Sequence, residues 1–174
     1  MNGARLIGHL LAFAAYLLLQ VLIFRNVVLF DTAFCFIYIG ALLMLPFDIG
    51  RLPAMLLGFI CGLVVDIFYD SLGIHAAASV FMMYLRPYWI NLITPRGGYE
   101  NVSTPRLKLL GSQWFATYAI ALSFVHHLIL FYVEVGSFHL FFFTLSKVVA
   151  STLLTFTMLV VFQYLFYSSR RSVI

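Results

Sequence analysis

The sequence predicts an all-α protein that lies in a membrane and crosses it with six helices. Of its 174 residues, 64% are hydrophobic and only 9% are charged, and its mean hydropathy is +1.05. Soluble domains carry about 25% charged residues, so this composition is typical of a polytopic membrane protein. A helix needs about 20 apolar residues to cross a bilayer, and the chain has room for about six such segments joined by short polar turns.

Six apolar segments are predicted as the spans of one integral-membrane domain covering residues 1–174. We place them at about residues 6–24, 32–45, 53–69, 74–93, 112–132 and 138–167. The first is longer than the apolar part of a signal peptide, about 7–15 residues, and lacks a small-residue cleavage site, so we expect it to be retained. The second is the shortest, and it requires tilt or cover from neighbouring helices.

Turn residues separate these spans. Residues 46–53 contain two prolines, a glycine and an Asp48/Arg51 pair, which predicts a turn before the third span. Gly73 marks the stop between the third and fourth spans. Pro87 lies inside the fourth span and predicts a kink, because proline leaves the carbonyl four residues before it without a donor. Residues 94–111 form the longest polar loop.

The positive charges predict the orientation of the chain. With six spans both termini lie on one side, and only Arg25 among the loop cations falls on the other side. Cytoplasmic loops of membrane proteins are enriched in Lys and Arg, so both termini are expected in the cytoplasm. The cations on that side are Arg5, Arg51, Arg96, Arg106, Lys108, Arg170 and Arg171.

The stretch of residues 56–70, most of which lies in the third span, is the one around which we expect the other spans to pack. Gly58 and Gly62 are four residues apart, a spacing that lets another helix approach closely. Asp66 and Asp70 have the same spacing and are predicted to share a face. A charge inside a bilayer is costly, so this helix is expected to lie among other helices.

The polar residues of the spans have structural and functional interpretations. For Asp66 a hydrogen bond or ion pair between helices is favoured over a role in proton transfer. Adjacent histidines on a helix point about 100° apart, and no two histidines are four residues apart, so interhelical hydrogen bonds are favoured over a metal site. The residues expected in the outer half of the membrane are Asp66, Asp70, His75, His126, His127 and Glu134.

Two cations also fall within predicted spans. Arg86 and Lys147 can each pair with an acid or extend to the surface. One hypothesis pairs Asp66 with Lys147, and another has Arg86 and Lys147 hold an anionic ligand. The aromatic residues that begin the last span predict lipid contact, or a docking face for another membrane helix, and they are Phe138, Phe141, Phe142 and Phe143.

No residue pattern in the chain indicates catalysis, a cofactor or nucleic-acid binding. Ser, His and Asp occur without the spacing of a known triad or phosphate loop, and no basic face is interleaved with aromatics. Cys35 and Cys61 lie in apolar segments and are interpreted as small hydrophobic residues. The residues alone therefore predict a protein that binds a partner or carries a solute.

Several motifs follow one another along the chain. They are Leu45-Pro-Phe-Asp-Ile-Gly-Arg51, Leu57-Gly-Phe-Ile-Cys-Gly-Leu-Val-Val-Asp66, Gly73-Ile-His-Ala-Ala-Ala78 and Tyr84-Leu-Arg-Pro87. Taken in this order, they resemble the rod shape-determining membrane protein MreD family, and its bacteroidete-type members most of all. Phe124-Val-His-His-Leu128 and Phe131-Tyr-Val-Glu134 fit the later part of that family. The resemblance covers nearly the whole chain and depends on the order of the motifs.

The resemblance implies a non-enzymatic scaffold of the bacterial inner membrane. Members of that family associate with MreC, a single-span protein, in the complex that links a SEDS glycosyltransferase and its transpeptidase to MreB filaments. The positions that match the motifs of the family are expected to serve helix packing at Gly58, Gly62 and Gly73, and a polar cavity or partner groove at Asp66, His75 and Arg86. Further candidates for that cavity or groove are Asp70, His126, His127 and Lys147. The family also resembles the substrate-binding subunits of energy-coupling-factor vitamin transporters, which gives a solute-binding subunit as the alternative.

Overall fold

A computed structural model describes residues 3–99, 102–137 and 139–166, with side chains from residue 11 onward. The described chain is mostly helical. Its long helices are α1 (Gly3–Leu22), α3 (Arg51–Tyr69), α4 (Ile74–Leu92), α6 (Ser112–Val135) and α7 (Phe141–Phe166). The remaining elements are a 3-10 turn (Phe24–Asn26), β1 (Val28–Leu29), β2 (Ala33–Phe34), α2 (Ile39–Leu43) and α5 (Leu107–Leu110).

Three of these helices, α3, α6 and α7, are long and apolar enough to cross a membrane. The prediction of a helical membrane protein is confirmed at that level. The count of six membrane-spanning helices is not. The described part of α1 contributes a shorter apolar helix, Leu11–Leu22, and α4 is not one of the three.

The second predicted span, residues 32–45, is wrong as a helix. β1 and β2 pair antiparallel, with Val28 opposite Phe34, around a turn in which Phe30 and Asp31 adopt positive φ. The chain then continues without regular structure to residue 38, and α2 is only five residues long. Aromatic residues are enriched in strands, and a short apolar run does not distinguish an extended segment from a helix.

The helices begin and end where the sequence provides a left-handed or flexible residue. Asp70 ends α3 with φ 54°, and Gly73 precedes α4 with φ 86°. Gly136 ends α6 with φ 60°, a conformation that glycine adopts without the steric cost of a Cβ. Helix α4 continues through Pro87. The predicted loop 94–111 contains one helical turn, α5.

The helices pack as a series of neighbours around one buried segment. Helix α3 packs on α4, α4 on α6, and α6 on α7. Residues 35–45, here called the central segment, are all buried, and they lie between α1 and α7. The central segment runs from the end of the bundle where α3 ends to the level of Arg86 in the second half of α4.

Candidate functional site

Polar side chains of the long helices bind the backbone of the central segment at the end nearest to β2. Gln20 is fully buried, and its amide donates to the Cys35 carbonyl at 3.1 Å and accepts from the Tyr38 N–H at 3.3 Å. From the opposite side, Thr155 accepts from the Phe36 N–H at 3.1 Å. A non-helical backbone has no internal partners, and an unpaired polar group in an apolar interior is costly, so these side chains replace the missing helical hydrogen bonds.

Arg86 performs the same task at the other end of the central segment. It is 2% exposed, and its guanidinium donates to the carbonyls of Leu45 and Pro46 and to the Tyr118 hydroxyl. Tyr118 in turn donates to the Leu43 carbonyl at 2.8 Å. The planar guanidinium offers several donors in a fixed arrangement, which suits adjacent carbonyls at the end of a short helix. The guanidinium donors are therefore directed at the protein's own backbone and at the Tyr118 hydroxyl.

Asp66 caps the neighbouring helix. Its carboxylate accepts from the backbone N–H groups of His75 and Ala76, at 3.0 and 2.9 Å, near the start of α4. It also accepts from Ser71 Oγ at 2.6 Å and forms an ion pair or hydrogen bond with His75 Nδ1 at 3.0 Å. The first N–H groups of a helix lack partners within the helix and favour a negative charge. Asp66 therefore fixes α4 relative to α3.

The two glycines of α3 allow that cap to form. A Cβ added at Gly62 would lie 2.4 Å from the Cα of Ala76, and one at Gly58 would lie 3.0 Å from the Ser79 carbonyl oxygen. Both glycines therefore face α4 of the same chain at close range. Gly73 does not share this environment, because a Cβ there would meet nothing within 4 Å. Its packing role is corrected to that of a turn residue with positive φ.

Asp70 and Lys147 differ from their predicted surroundings. Asp70 is exposed and left-handed at the end of α3, so it does not share the buried face of Asp66. Lys147 Nζ lies 5.1–5.7 Å from three phenylalanine ring centroids, those of Phe34, Phe131 and Phe143. The hypothetical Asp66–Lys147 pair is wrong, because the carboxylate is bound by α4 and Ser71. Arg86 and Lys147 also do not meet around a common ligand.

The paired histidines lie inside the bundle. His126 Nε2 is 2.7 Å from the Tyr38 hydroxyl, and His127 Nε2 is 3.3 Å from Thr155 Oγ1. The Phe36 ring lies between them and His75, with centroid distances of 5.3–6.2 Å to the three imidazoles. No group of three or more His, Cys, Asp or Glu residues suited to a metal ion occurs within the described part of the chain.

One cavity opens beside this network, at the end of the bundle where α3 ends and α4 begins. It has a volume of about 230 Å³. Its wall combines aromatic rings with groups of both charges. The lining residues are Arg25, Asn26, Phe34, Phe36, Tyr69, Ser71, Ile74, His75, Leu130, Phe131 and Glu134.

Several residues that form hydrogen bonds in and around the central segment were missed in the sequence. Gln20, Tyr118 and Thr155 bind the backbone of the central segment, and Tyr38 within it binds Ser79 on α4, but none of the four was selected as a candidate. A buried glutamine in an otherwise apolar helix was a visible signal, because such residues in spans usually bind other helices or irregular backbone. Phe138, predicted as part of a docking face, lies outside the described residues, whereas Phe141, Phe142 and Phe143 are exposed.

Comparisons with protein-family models, with curated proteins and with solved structures find no match to this chain.

Proposed function

We propose that this chain is a non-enzymatic membrane scaffold of the bacterial rod complex, which binds MreC and supports cell shape and peptidoglycan synthesis. In this proposal it lies in the inner membrane with both termini in the cytoplasm. It acts on the SEDS glycosyltransferase, its transpeptidase and MreB directly or through MreC. The basis for these assignments is the resemblance of its motifs to the MreD family.

The observation that carries the proposal is that the resembling motifs belong to one structural unit. The turn that begins at Leu45 is bound by Arg86 from the fourth motif. The glycines of the second motif pack against α4, and Asp66 from the same motif caps the third. When motifs that are distant in sequence pack together in one unit, their residues define the fold. A protein that acts by presenting its shape to a partner depends on such residues.

The proposal includes six membrane crossings, with the central segment as the second. Residues 33–36 are extended at about 3.3 Å per residue, and residues 37–45 rise about 1.5 Å each, which gives about 27 Å. This length is close to the hydrocarbon thickness of about 30 Å. Non-helical backbone is tolerated at that depth only where protein surrounds it, and residues 35–45 are all buried.

The contact proposed for MreC is the aromatic start of α7. Phe141, Phe142 and Phe143 are 42%, 83% and 52% exposed. Membrane helices associate through close packing rather than a hydrophobic driving force, so large exposed rings next to a fixed backbone offer a shape that a partner helix can fit. Lys147 on the same helix supports a polar contact at the edge of this surface.

The experiment is a mild-detergent purification from cells that express MreC, with mass spectrometry of proteins and metabolites. The scaffold predicts a single-span partner in fixed ratio, and Phe142→Ala should reduce its recovery several-fold. Phe59→Ala is the matched control, because Phe59 is also exposed, at 47%, but lies on α3. Two results would contradict the proposal. In one, Phe142→Ala recovers as much of the partner as Phe59→Ala does. In the other, the unsubstituted chain is recovered without any single-span protein.

The second candidate is a solute-binding membrane subunit, and the cavity of about 230 Å³ is the observation that favours it. It predicts a small molecule in the same mass spectra. Added back to the purified protein, that molecule should raise thermal stability by RT ln(1 + [L]/Kd). A stoichiometric metabolite without MreC would select this function over the scaffold.

A further inference from the structure

The cavity beside the start of α4 carries charges of both signs on an aromatic wall. Arg25 lies with its guanidinium carbon 5.7 Å from the Tyr69 ring centroid, and Glu134 lines the same space from the end of α6. Among the described side chains, the one basic nitrogen within 4.0 Å of a carboxylate is His75 Nδ1 beside Asp66, so Arg25 and Glu134 are not paired with each other. A second cation, Lys147, contacts Phe34 and Phe131, which also line the cavity.

The His75 ring extends the aromatic part of this wall. Its side chain is buried, and its Nδ1 lies 3.0 Å from the Asp66 carboxylate. Its ring centroid is 5.0 Å from that of Tyr69 and 5.4 Å from that of Phe36, and both of these rings line the cavity. The charged groups that a ligand meets in the cavity are therefore Arg25 and Glu134.

The size and position of the cavity limit the ligand. Pockets for drug-sized molecules measure about 300–1,000 Å³, so a cavity of about 230 Å³ has the size for a smaller polar group such as a lipid head group. It lies at the ends of α3 and α6, two helices long enough to cross a membrane. That level corresponds to the interface where lipid phosphates and amines are found.

We propose that this cavity binds an aminoalkyl phosphate ester of the phosphoethanolamine type. The phosphate lies near Arg25, because a guanidinium forms charge-assisted hydrogen bonds with phosphate oxygens. The ammonium donates to Glu134, and the aromatic wall favours a cation through its ring faces. This inference does not depend on the scaffold function.

Two sources supply this chemistry, a phospholipid head group and a soluble phosphoethanolamine ester. The experiment measures binding to the full chain by native mass spectrometry, with phosphatidylethanolamine, phosphatidylcholine and phosphatidylglycerol added to delipidated protein. A parallel arm measures the thermal shift produced by glycerophosphoethanolamine. Binding of the lipid alone identifies the head group in the membrane as the source, and binding of both forms identifies a site open to the soluble ester as well.

The expected result is a preference of about tenfold for phosphatidylethanolamine over the other two lipids, the effect of one charge-assisted hydrogen bond. Phosphatidylcholine has no N–H to donate, and phosphatidylglycerol has no ammonium. Glu134→Gln should remove this preference, and Arg25→Gln should weaken binding of all three lipids.

The matched controls are Asp70→Asn and Arg51→Gln. Asp70 is exposed at the same end of the bundle without lining the cavity, and Arg51 stacks on Tyr88 with a centroid distance of 4.7 Å. Both variants should bind as the unsubstituted chain does. Equal binding of phosphatidylethanolamine and phosphatidylglycerol, an unchanged preference in Glu134→Gln, or no binding of any lipid or ester would overturn the proposal.

Discussion

At the scale of single residues, the contact between α3 and α4 depends on the absence of a side chain. Gly62 lies so close to Ala76 that a methyl group has no room there. A methyl group at Gly58 would touch the Ser79 carbonyl oxygen less closely, so small shifts of the neighbouring atoms could accommodate it. Asp66 then uses this proximity to reach the first N–H groups of α4. One short helix–helix contact and one carboxylate together set the geometry of the hairpin.

Gly62→Ala should destabilise the protein by about 1–3 kcal/mol, because the added methyl group forces two packed backbones apart. Gly58→Ala should cost less, and Gly97→Ala should leave stability unchanged, since nothing lies within 4 Å of a Cβ at Gly97. The free energy of unfolding in mixed detergent micelles, followed by helical circular dichroism, measures this order. Equal stability of the Gly62 and Gly97 variants would show that the helices do not approach as described.

Asp66→Ala should destabilise the protein by about 1–3 kcal/mol, because it leaves two buried backbone N–H groups without an acceptor. Asp66→Asn retains one acceptor oxygen and should cost less. The same unfolding measurement applies, with Asp70→Asn as control because Asp70 is exposed at the end of α3. A larger loss of stability in Asp70→Asn than in Asp66→Ala would show that Asp66 does not cap α4.

At the scale of elements, the central segment explains why an apolar bundle contains so many buried polar side chains. Gln20 comes from α1, Arg86 from α4, Tyr118 from α6 and Thr155 from α7, and each binds a backbone group of this segment. Four helices therefore contact the central segment through hydrogen bonds as well as packing. In an apolar medium these bonds have no competing water, so the segment is specified strongly.

Gln20→Leu should expose the central segment locally, because it leaves the Cys35 carbonyl and the Tyr38 N–H without partners. The readout is maleimide modification of Cys35, which is 1% exposed in the intact protein. We expect its rate to rise at least about tenfold. Cys61, buried in α3, serves as the internal control and should stay slow.

Gln113→Leu is the matched variant, because Gln113 is an exposed glutamine at the start of α6. It should not change the modification of either cysteine. If Cys35 reacts equally slowly in the Gln20 and Gln113 variants, the amide of Gln20 does not hold the segment.

The positions of the helices were predicted from the sequence better than the conformation of the central segment buried between them. Spans at about 53–69, 74–93, 112–132 and 138–167 agree closely with α3, α4, α6 and α7, because apolar length and turn glycines are local signals. The central segment was not predictable in the same way. Its partners are distant in sequence, as with Phe36 and Thr155, 119 positions apart, and only the folded chain brings them together.

At the scale of the whole molecule, the arrangement places the turns of the bundle at two ends. The turn after α3 and the turn after α6 lie at the end with the cavity, and Phe47 stacks on Tyr99 and meets Trp114 at the opposite end. Arg51, Arg96, Arg106 and Lys108 belong to the segments at that opposite end. The excess of cations there is the basis on which we propose that this end of the bundle lies in the cytoplasm.

Cysteines introduced as Gly97→Cys and Ser137→Cys should therefore react on opposite sides of the membrane. Ser137→Cys should be modified by an impermeant maleimide in intact spheroplasts, and Gly97→Cys only after permeabilisation. The native Cys35 and Cys61 are buried and should contribute little background. Modification of both sites from the same side would contradict the proposed number of crossings.

The measurement that tests the central claim most directly is amide hydrogen exchange of the full chain in lipid nanodiscs. The claim is that polar side chains from four helices hold residues 35–45 as a fixed, buried segment. It predicts that the amides of Phe36 and Tyr38 exchange as slowly as those inside α3 and α6, although they belong to no helix. Exchange of these amides as fast as in the exposed turn around Gly97 would contradict the account.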